Sequence, residues 1–383
     1  ALMADEALIE PDRLDGTPHP RDTAKLYGQE AAEARFLQAF NAGRLHHAWL
    51  LTGPKGVGKA TLAWRIARFL LTEEQAEAGM FGDMPDAKPE RLDVRADHPV
   101  LQRILAGSEP RLFKITRSMN PDTKRMRDVI VVDDVRKLGH FLSMSAAEGG
   151  RRVVILDAAD EMNTQAANAL LKMLEEPPKL TTFLLIAHQP QGLLPTIRSR
   201  CRELRLNTLE ANDIAAALEA AGVEAGLGAE AASALSALSG GSVGAAARML
   251  ELEGLVLYGE LVAIFESLPK LDRARVLRLS EAFAARGSEQ KLDLLLVLLE
   301  TLLFRLARAG AMGAQAQALA NPNEPALFER LSPNHQAAQR WAALSDELLA
   351  RARHGRAVNL DPAALILDTF LRIQRSVAEH SAR

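Results

Sequence analysis

The 383-residue chain reads as an α/β phosphate-loop unit with a parallel sheet, followed by an all-helical C-terminal region. Three observations predict this. An apolar run at residues 47–51 leads into the Gly-rich turn Gly53-Pro54-Lys55-Gly56-Val57-Gly58-Lys59, and then into a helical face at Leu62, Ile66, Phe69 and Leu70. Further apolar runs alternate with helical patterns as far as Leu206, the arrangement of a parallel sheet with helices on both faces. From residue 251 onward only helical periodicity remains.

Composition agrees. The chain is 48% hydrophobic but only 4% aromatic, which favours helices over a β-sandwich. Its length calls for two or three domains. A net charge of −3 gives no global basic field. The short basic runs Lys124, Arg125, Arg127 and Arg151, Arg152 read as solvated faces rather than a nucleic-acid surface. No apolar stretch is long enough to span a bilayer, and the short acidic start is unlike a secretory leader. A single cysteine, Cys201, rules out an internal disulfide, and a cytoplasmic location is expected.

The elements follow in order. Residues 1–19 are polar and read as a mobile tail. After the loop and its helix, residues 72–128 form an insertion without cysteine, and residues 81–95 read as irregular loop. Strands are expected at residues 112–115, 129–132, 152–157 and 182–187, with Asp133 or Asp134 capping the helix after the second of these. Residues 207–250 read as a small helical domain broken by Gly222 and Gly240-Gly241. In the last region Leu292, Leu295, Leu296, Leu299, Leu302, Leu303 and Leu306 make a wide stripe, read first as a domain core.

The phosphate loop lacks a part. The pattern of Gly, four residues, Gly-Lys and a hydroxyl is met at Gly53, Gly58 and Lys59, but Ala60 stands where the hydroxyl would hold Mg²⁺. Thr61 cannot replace it, because one residue along a helix turns the side chain by roughly 100°. The run at residues 152–157 ends in Asp157, placed to meet a nucleotide-bound metal, yet Ala158 follows where such ATPases carry a water-polarising Glu. The remnant nucleotide set is therefore Gly53, Gly58, Lys59, Thr61 and Asp157.

At this point the chain resembles the clamp-loader subunits of the AAA+ class. The resemblance rests on Asn168-Ala169-Leu170-Leu171-Lys172-Met173-Leu174-Glu175-Glu176-Pro177-Pro178, on Ser199-Arg200-Cys201 after Leu194-Pro195-Thr196-Ile197-Arg198, and on the lead-in at residues 43–48. It covers roughly residues 20–250 by motif. It implies a RecA-like AAA+ domain over 1–206, a helical lid over 207–250, and a helical collar for oligomerisation over 251–383. Within the family the departures favour a non-motor member. The sensor-one position falls at Ala187 or His188, and the sensor-two arginine is replaced by Gly244. What remains is Arg200, which the resemblance casts as an arginine finger reaching a neighbouring subunit's ATP. Supplied in trans, such a group is worth ~10³–10⁵ in kcat.

The implied function is a non-hydrolysing part of the DNA polymerase III holoenzyme. Its expected partners are the motor (gamma/tau) and delta subunits of the clamp loader, with the sliding clamp and primed DNA reached through the complex. No cofactor is required, although the main-chain cradle and Lys59 can still hold the phosphates of ATP or ADP weakly. Zinc is not expected: many relatives carry a four-cysteine module in the insertion, and His98 alone cannot supply four ligands. The alternative is a self-sufficient AAA+ ATPase, a motor subunit or another remodeller, supported by Gly58, Lys59 and Asp157.

Overall fold

β1 (Ala48–Thr52) is buried at every position, as an unbroken apolar run requires of a strand covered on both faces. In the computed structural model, which describes residues 12–13, 17–76, 88–144, 150–223, 226–283, 287–357 and 360–381, it is an interior strand of a parallel sheet. The other strands are β2 (Leu112–Ile115), β3 (Arg152–Asp157), β4 (Thr181–Ile186) and β5 (Arg202–Arg205), in the spatial order β2-β3-β4-β1-β5. β1 pairs with β4 with Leu50 opposite Leu185, and with β5 with Leu51 opposite Leu204. The β1–β4 neighbourhood brings the ends of non-consecutive strands together, and the phosphate loop leaves the sheet there.

Helices cover both faces. On one face lie α1 (Glu30–Asn41) and α2 (Lys59–Ala76), with Phe36 against Trp49 at a centroid distance of 5.2 Å. On the other, α4 (Val132–Met144) and α5 (Thr164–Glu175) join Leu50, Val154, Phe183 and Leu185 in one core with Leu138, Leu170 and Leu174. Each of these side chains contributes ~1.5–3 kcal/mol by leaving water. The short α3 (Pro99–Leu105) begins under His98, whose ring nitrogen accepts from the Val100 N–H at 3.2 Å, so this histidine is a helix cap. α6 (Pro195–Arg198) is a single turn before β5, and α7 (Ala211–Ala220) follows the sheet.

Two expectations need correcting. Residues 129–132 are not a strand: Ile130 makes one isolated bridge to Met162, and α4 starts at Val132. Asp134 explains the switch. Its carboxylate accepts from the Val131 N–H at 3.3 Å, satisfying a donor just ahead of the helix, while Val135, Leu138 and Leu142 turn inward at helical spacing. The capping acid is therefore inside the first turn rather than before it. The fifth strand is β5 instead. It exposes Arg202, Glu203 and Arg205 and buries only Leu204, as an edge strand does, so its sequence carried no apolar run.

Most of the expected N-terminal tail lies outside the described residues, but Asp12 and His19 are packed. Asp12 Oδ2 receives Lys114 Nζ at 3.0 Å and meets His19 Nε2 at 3.1 Å, and His19 sits edge-on to Trp64. Burial alone would raise the Asp12 pKa; the His19 hydrogen bond and the Lys114 charge win and hold it at about 2. Residues 81–87 of the expected irregular loop also lie outside the described residues, and residues 88–95 have no regular structure.

Contacts divide the chain into two units: residues 1–225 with 242–244, and residues 226–241 with 245–383. The second is helical, with α8 (Ala229–Ser239), α9 (Val243–Glu251, whose first two residues count with the first unit), α10 (Gly254–Glu266), α11 (Arg273–Ala282), α12 (Glu289–Met312), α13 (Glu324–Leu331), α14 (His335–Ala357) and α15 (Pro362–Ser381). Leu292, Leu295, Leu299, Leu302, Leu303 and Leu306 of the stripe are buried, with Leu296 at its margin. It is this unit's core. A charged pair sits inside it. Glu324 accepts from Arg305 Nε at 2.9 Å and Nη2 at 2.7 Å, from Tyr258 Oη, and from the Ala320 N–H at 2.9 Å.

Candidate functional site

The phosphate loop runs from the end of β1 to the first residue of α2, so its backbone N–H groups open at a helix N-terminus. Gly56 (φ +80°) and Gly58 (φ +99°) adopt a conformation that side chains resist, and a Cβ there would strike Ser242 Oγ and Leu26 Cδ1 respectively. The crown of the loop is thus covered from two sides. Gly244 N–H also donates to Gly56 O at 3.4 Å. From below, the Gln29 amide donates to Val57 O at 3.2 Å and to Asn207 O at 2.7 Å, and accepts from the Asn207 N–H at 3.1 Å.

Lys59 turns onto its own loop. Its ammonium donates to Gly53 O at 2.8 Å and Pro54 O at 2.6 Å, and the residue is only 3% exposed. Burial lowers its pKa to about 8, with Asp157 and Asp160 opposing that shift and Lys55 adding to it. Asp157 is half-buried at the end of β3. Loss of water and the neighbouring Asp12 raise its pKa to about 7, with Glu161 in the same direction, and Lys59 and Lys114 only partly offset this. A carboxylate so placed is a poor permanent anion without a cation beside it.

The positions at which sequence reasoning expects a lost polar group hold small, packed side chains. Ala60 begins α2 beside Lys59, Ala158 is 3% exposed, and Ala187 is fully buried. Next to Ala187, His188 loses basicity to about 4, first through burial and then through the charge of Lys59, with Asp160 opposing. Asp160 fixes this turn: its carboxylate accepts from the His188 N–H at 3.1 Å and the Gln189 N–H at 2.8 Å. Gly53, Gly58, Lys59, Thr61 and Asp157 are gathered at this end of the sheet, on the loop, the start of α2 and the end of β3. The donor set suits phosphate through main chain and Lys59. It offers no hydroxyl at residue 60 for Mg²⁺.

Arg200 is elsewhere, in the turn between α6 and β5. The turn is tied by Arg200 N–H to Ile197 O at 3.1 Å and Cys201 N–H to Arg198 O at 3.2 Å. Ser199 Oγ donates to Thr196 O at 3.0 Å, so Ser199 shapes the backbone. Burial pushes the Cys201 thiol up to about 12, and it packs against the core, as a structural cysteine does. The Arg200 guanidinium donates from Nη1 to Thr196 O at 2.9 Å and from Nη2 to Glu175 Oε1 at 2.8 Å. Glu175, Asp12, Leu26 and Gln29 were missed as site residues by sequence reasoning. Only Glu175 had a signal, its place in the Leu-Glu-Glu-Pro-Pro segment.

Residues 28–210 match the family model described as DNA polymerase III, delta subunit. The chain is similar to the DNA polymerase III subunit delta' of Pseudomonas aeruginosa, 43% identical over 155 residues, which are 40% of this chain and 41% of that protein. It is 32% identical over 168 residues to the DNA polymerase III subunit delta' of Escherichia coli, covering 44% of each chain. It is also 31% identical over 200 residues to the DNA polymerase III subunit tau of Escherichia coli, 52% of this chain and 28% of that one. The matched stretches span less than half the length of each of these relatives.

Proposed function

We propose that this chain, delta-prime-like through its phosphate-loop unit, is a non-hydrolysing subunit of a DNA polymerase III clamp loader. In this reading it contributes Arg200 in trans to the ATP of a neighbouring motor (gamma/tau) subunit, while the assembly, with a delta subunit, places the sliding clamp on primed DNA.

One observation carries the loss of hydrolysis. The metal-ligand position is Ala60 and the water-polarising position is a buried alanine, Ala158, within a scaffold that keeps Lys59 and Asp157. With no hydroxyl to hold the ion and no base to orient water, neither half of the phosphoryl-transfer machinery is complete. Arg200 supports the second half of the reading. It is about one-third exposed, permanently charged and held on a turn rooted in the sheet, as a group acting on another chain's phosphate must be. ATP or ADP in this chain's own pocket would be held by Lys59 and loop N–H groups.

Steady-state ATP turnover tests it. The isolated chain is expected to show none, and the reconstituted complex is expected to lose most of its DNA-stimulated turnover with Arg200→Ala while still assembling. Turnover by the isolated chain that disappears in Lys59→Ala would establish the alternative, a self-sufficient ATPase.

A further inference from the structure

The pose of Arg200 depends on a residue 25 positions away. Glu175 is the last residue of α5, and Arg200 follows α6. Both backbones are anchored: Leu170 and Leu174 of α5 and Ile197 of α6 are fully or nearly fully buried in the same core. The two side chains, by contrast, emerge at the surface, with Arg200 34% and Glu175 45% exposed. Rigid roots and solvent-facing tips suit an orienting contact. An exposed ion pair adds at most about 1 kcal/mol to stability, so this pair is not what holds the fold. It instead restricts a side chain that would otherwise sample many rotamers.

The two bonds, to Glu175 Oε1 and Thr196 O, engage one N–H on each terminal nitrogen. A guanidinium has five N–H donors, so three are left over for oxygens brought by another molecule. We propose that Glu175 is a positioning residue for Arg200: it fixes the guanidinium plane from behind, so that the remaining donors meet a neighbouring subunit's phosphate without first being ordered. This rests on the reading of Arg200 as a group acting in trans. The gain is orientation, so the effect belongs in kcat and not in ATP binding.

The experiment is a double-mutant cycle on the DNA-stimulated ATPase of the reconstituted complex, with assembly followed by gel filtration. Glu175→Ala is expected to lower kcat about fivefold, which is about 1 kcal/mol, and to leave the KM for ATP unchanged. Glu175→Gln keeps the shape and an acceptor, should fall between wild type and Glu175→Ala, and gives the same readout if Glu175→Ala does not assemble. In an Arg200→Ala background, neither change should have any further effect. Wild-type kcat in both Glu175 variants, with Arg200→Ala impaired, overturns the positioning role and leaves the trans-arginine reading standing. A Glu175 effect that persists in the Arg200→Ala background also overturns it, because it marks a purely structural role. Unchanged turnover with Arg200→Ala removes the underlying reading, and the positioning role with it.

Discussion

Lys59 and Gly53, six residues apart, close the phosphate loop on itself: Lys59 Nζ donates to the Gly53 carbonyl at 2.8 Å. With the Pro54 carbonyl at 2.6 Å, two of the three ammonium donors are engaged on the loop itself, and one is left for phosphate in this pose. The loop is therefore tied by the group that would bind the ligand. Its covering residues Leu26 and Ser242 stand where any Cβ on Gly58 or Gly56 would go.

The charge of Lys59 should set the pH range of any nucleotide binding. Its pKa is lowered to about 8, chiefly by burial. Affinity for a fluorescent ATP analogue is expected to fall as pH rises through about 8. In Lys59→Ala the affinity should be weak and free of that titration. Binding that is flat from pH 7 to 9 in the unmodified chain would exclude Lys59 as the phosphate partner.

Asp157 should destabilise the protein at neutral pH. Its folded pKa is raised from 3.8 to about 7, first by burial. Between those values the folded chain keeps a proton that the unfolded chain has released, so stability falls as pH rises through the window. Asp157→Asn lacks this slope. Urea denaturation at pH 7.5 should find it more stable by about 1–2 kcal/mol, allowing for the water still reaching the carboxylate. The advantage should vanish near pH 4.

Ala158→Glu should not confer ATP hydrolysis on the isolated chain. The site is 3% exposed, so the new carboxylate would be taken out of water. A loss of about 2 kcal/mol or more in unfolding free energy is expected, measured by chemical denaturation alongside an ATPase assay.

The buried pair of the helical unit should behave differently from the surface pair at Arg200. Glu324→Ala strands Arg305 in the core and removes acceptors from Tyr258 and the Ala320 N–H. It should cost about 3–5 kcal/mol. Arg351→Ala, which breaks an exposed pair with Asp368, should cost under about 1 kcal/mol. Melting curves of the two variants side by side make the comparison.

Gly56→Ala combines a left-handed backbone with a clash against Ser242. A cost of about 1–3 kcal/mol is expected. Thermal melting checks it, and an unchanged melting temperature would mean that the crown of the loop is not packed as described.

Much of the sheet was legible because buried parallel strands announce themselves as apolar runs, as β1, β3 and β4 do. Two segments show the limit. Residues 129–132 carry four apolar residues and still end in a helix, because Asp134 supplies a hydrogen bond that local hydrophobicity does not report. β5 pairs along β1 at the sheet's edge, where Glu203 accepts from Thr52 Oγ1 at 2.6 Å, and its Arg-Glu-Leu-Arg sequence gives no apolar sign of it. The site followed the same division. Gly53, Lys59 and Asp157 could be found by spacing, which records main-chain geometry. Leu26, Gln29 and Asp12 come from separate parts of the chain and reach the loop or β3 only through folding. Glu175 stands in the Leu-Glu-Glu-Pro-Pro segment, but its contact with Arg200 spans two elements and has no fixed spacing.

Ala187 bears on whether a chain of the proposed kind could be armed. It lies at the end of β4 with no accessible surface, among Leu193, Ile197 and the strand residues. A polar side chain placed at that spot would arrive in hydrocarbon, and a glutamate at residue 158, itself 3% exposed, would fare no better. In the proposed reading, rebuilding an engine piecemeal thus passes through weaker proteins before any stroke is gained, which makes the idle state self-locking.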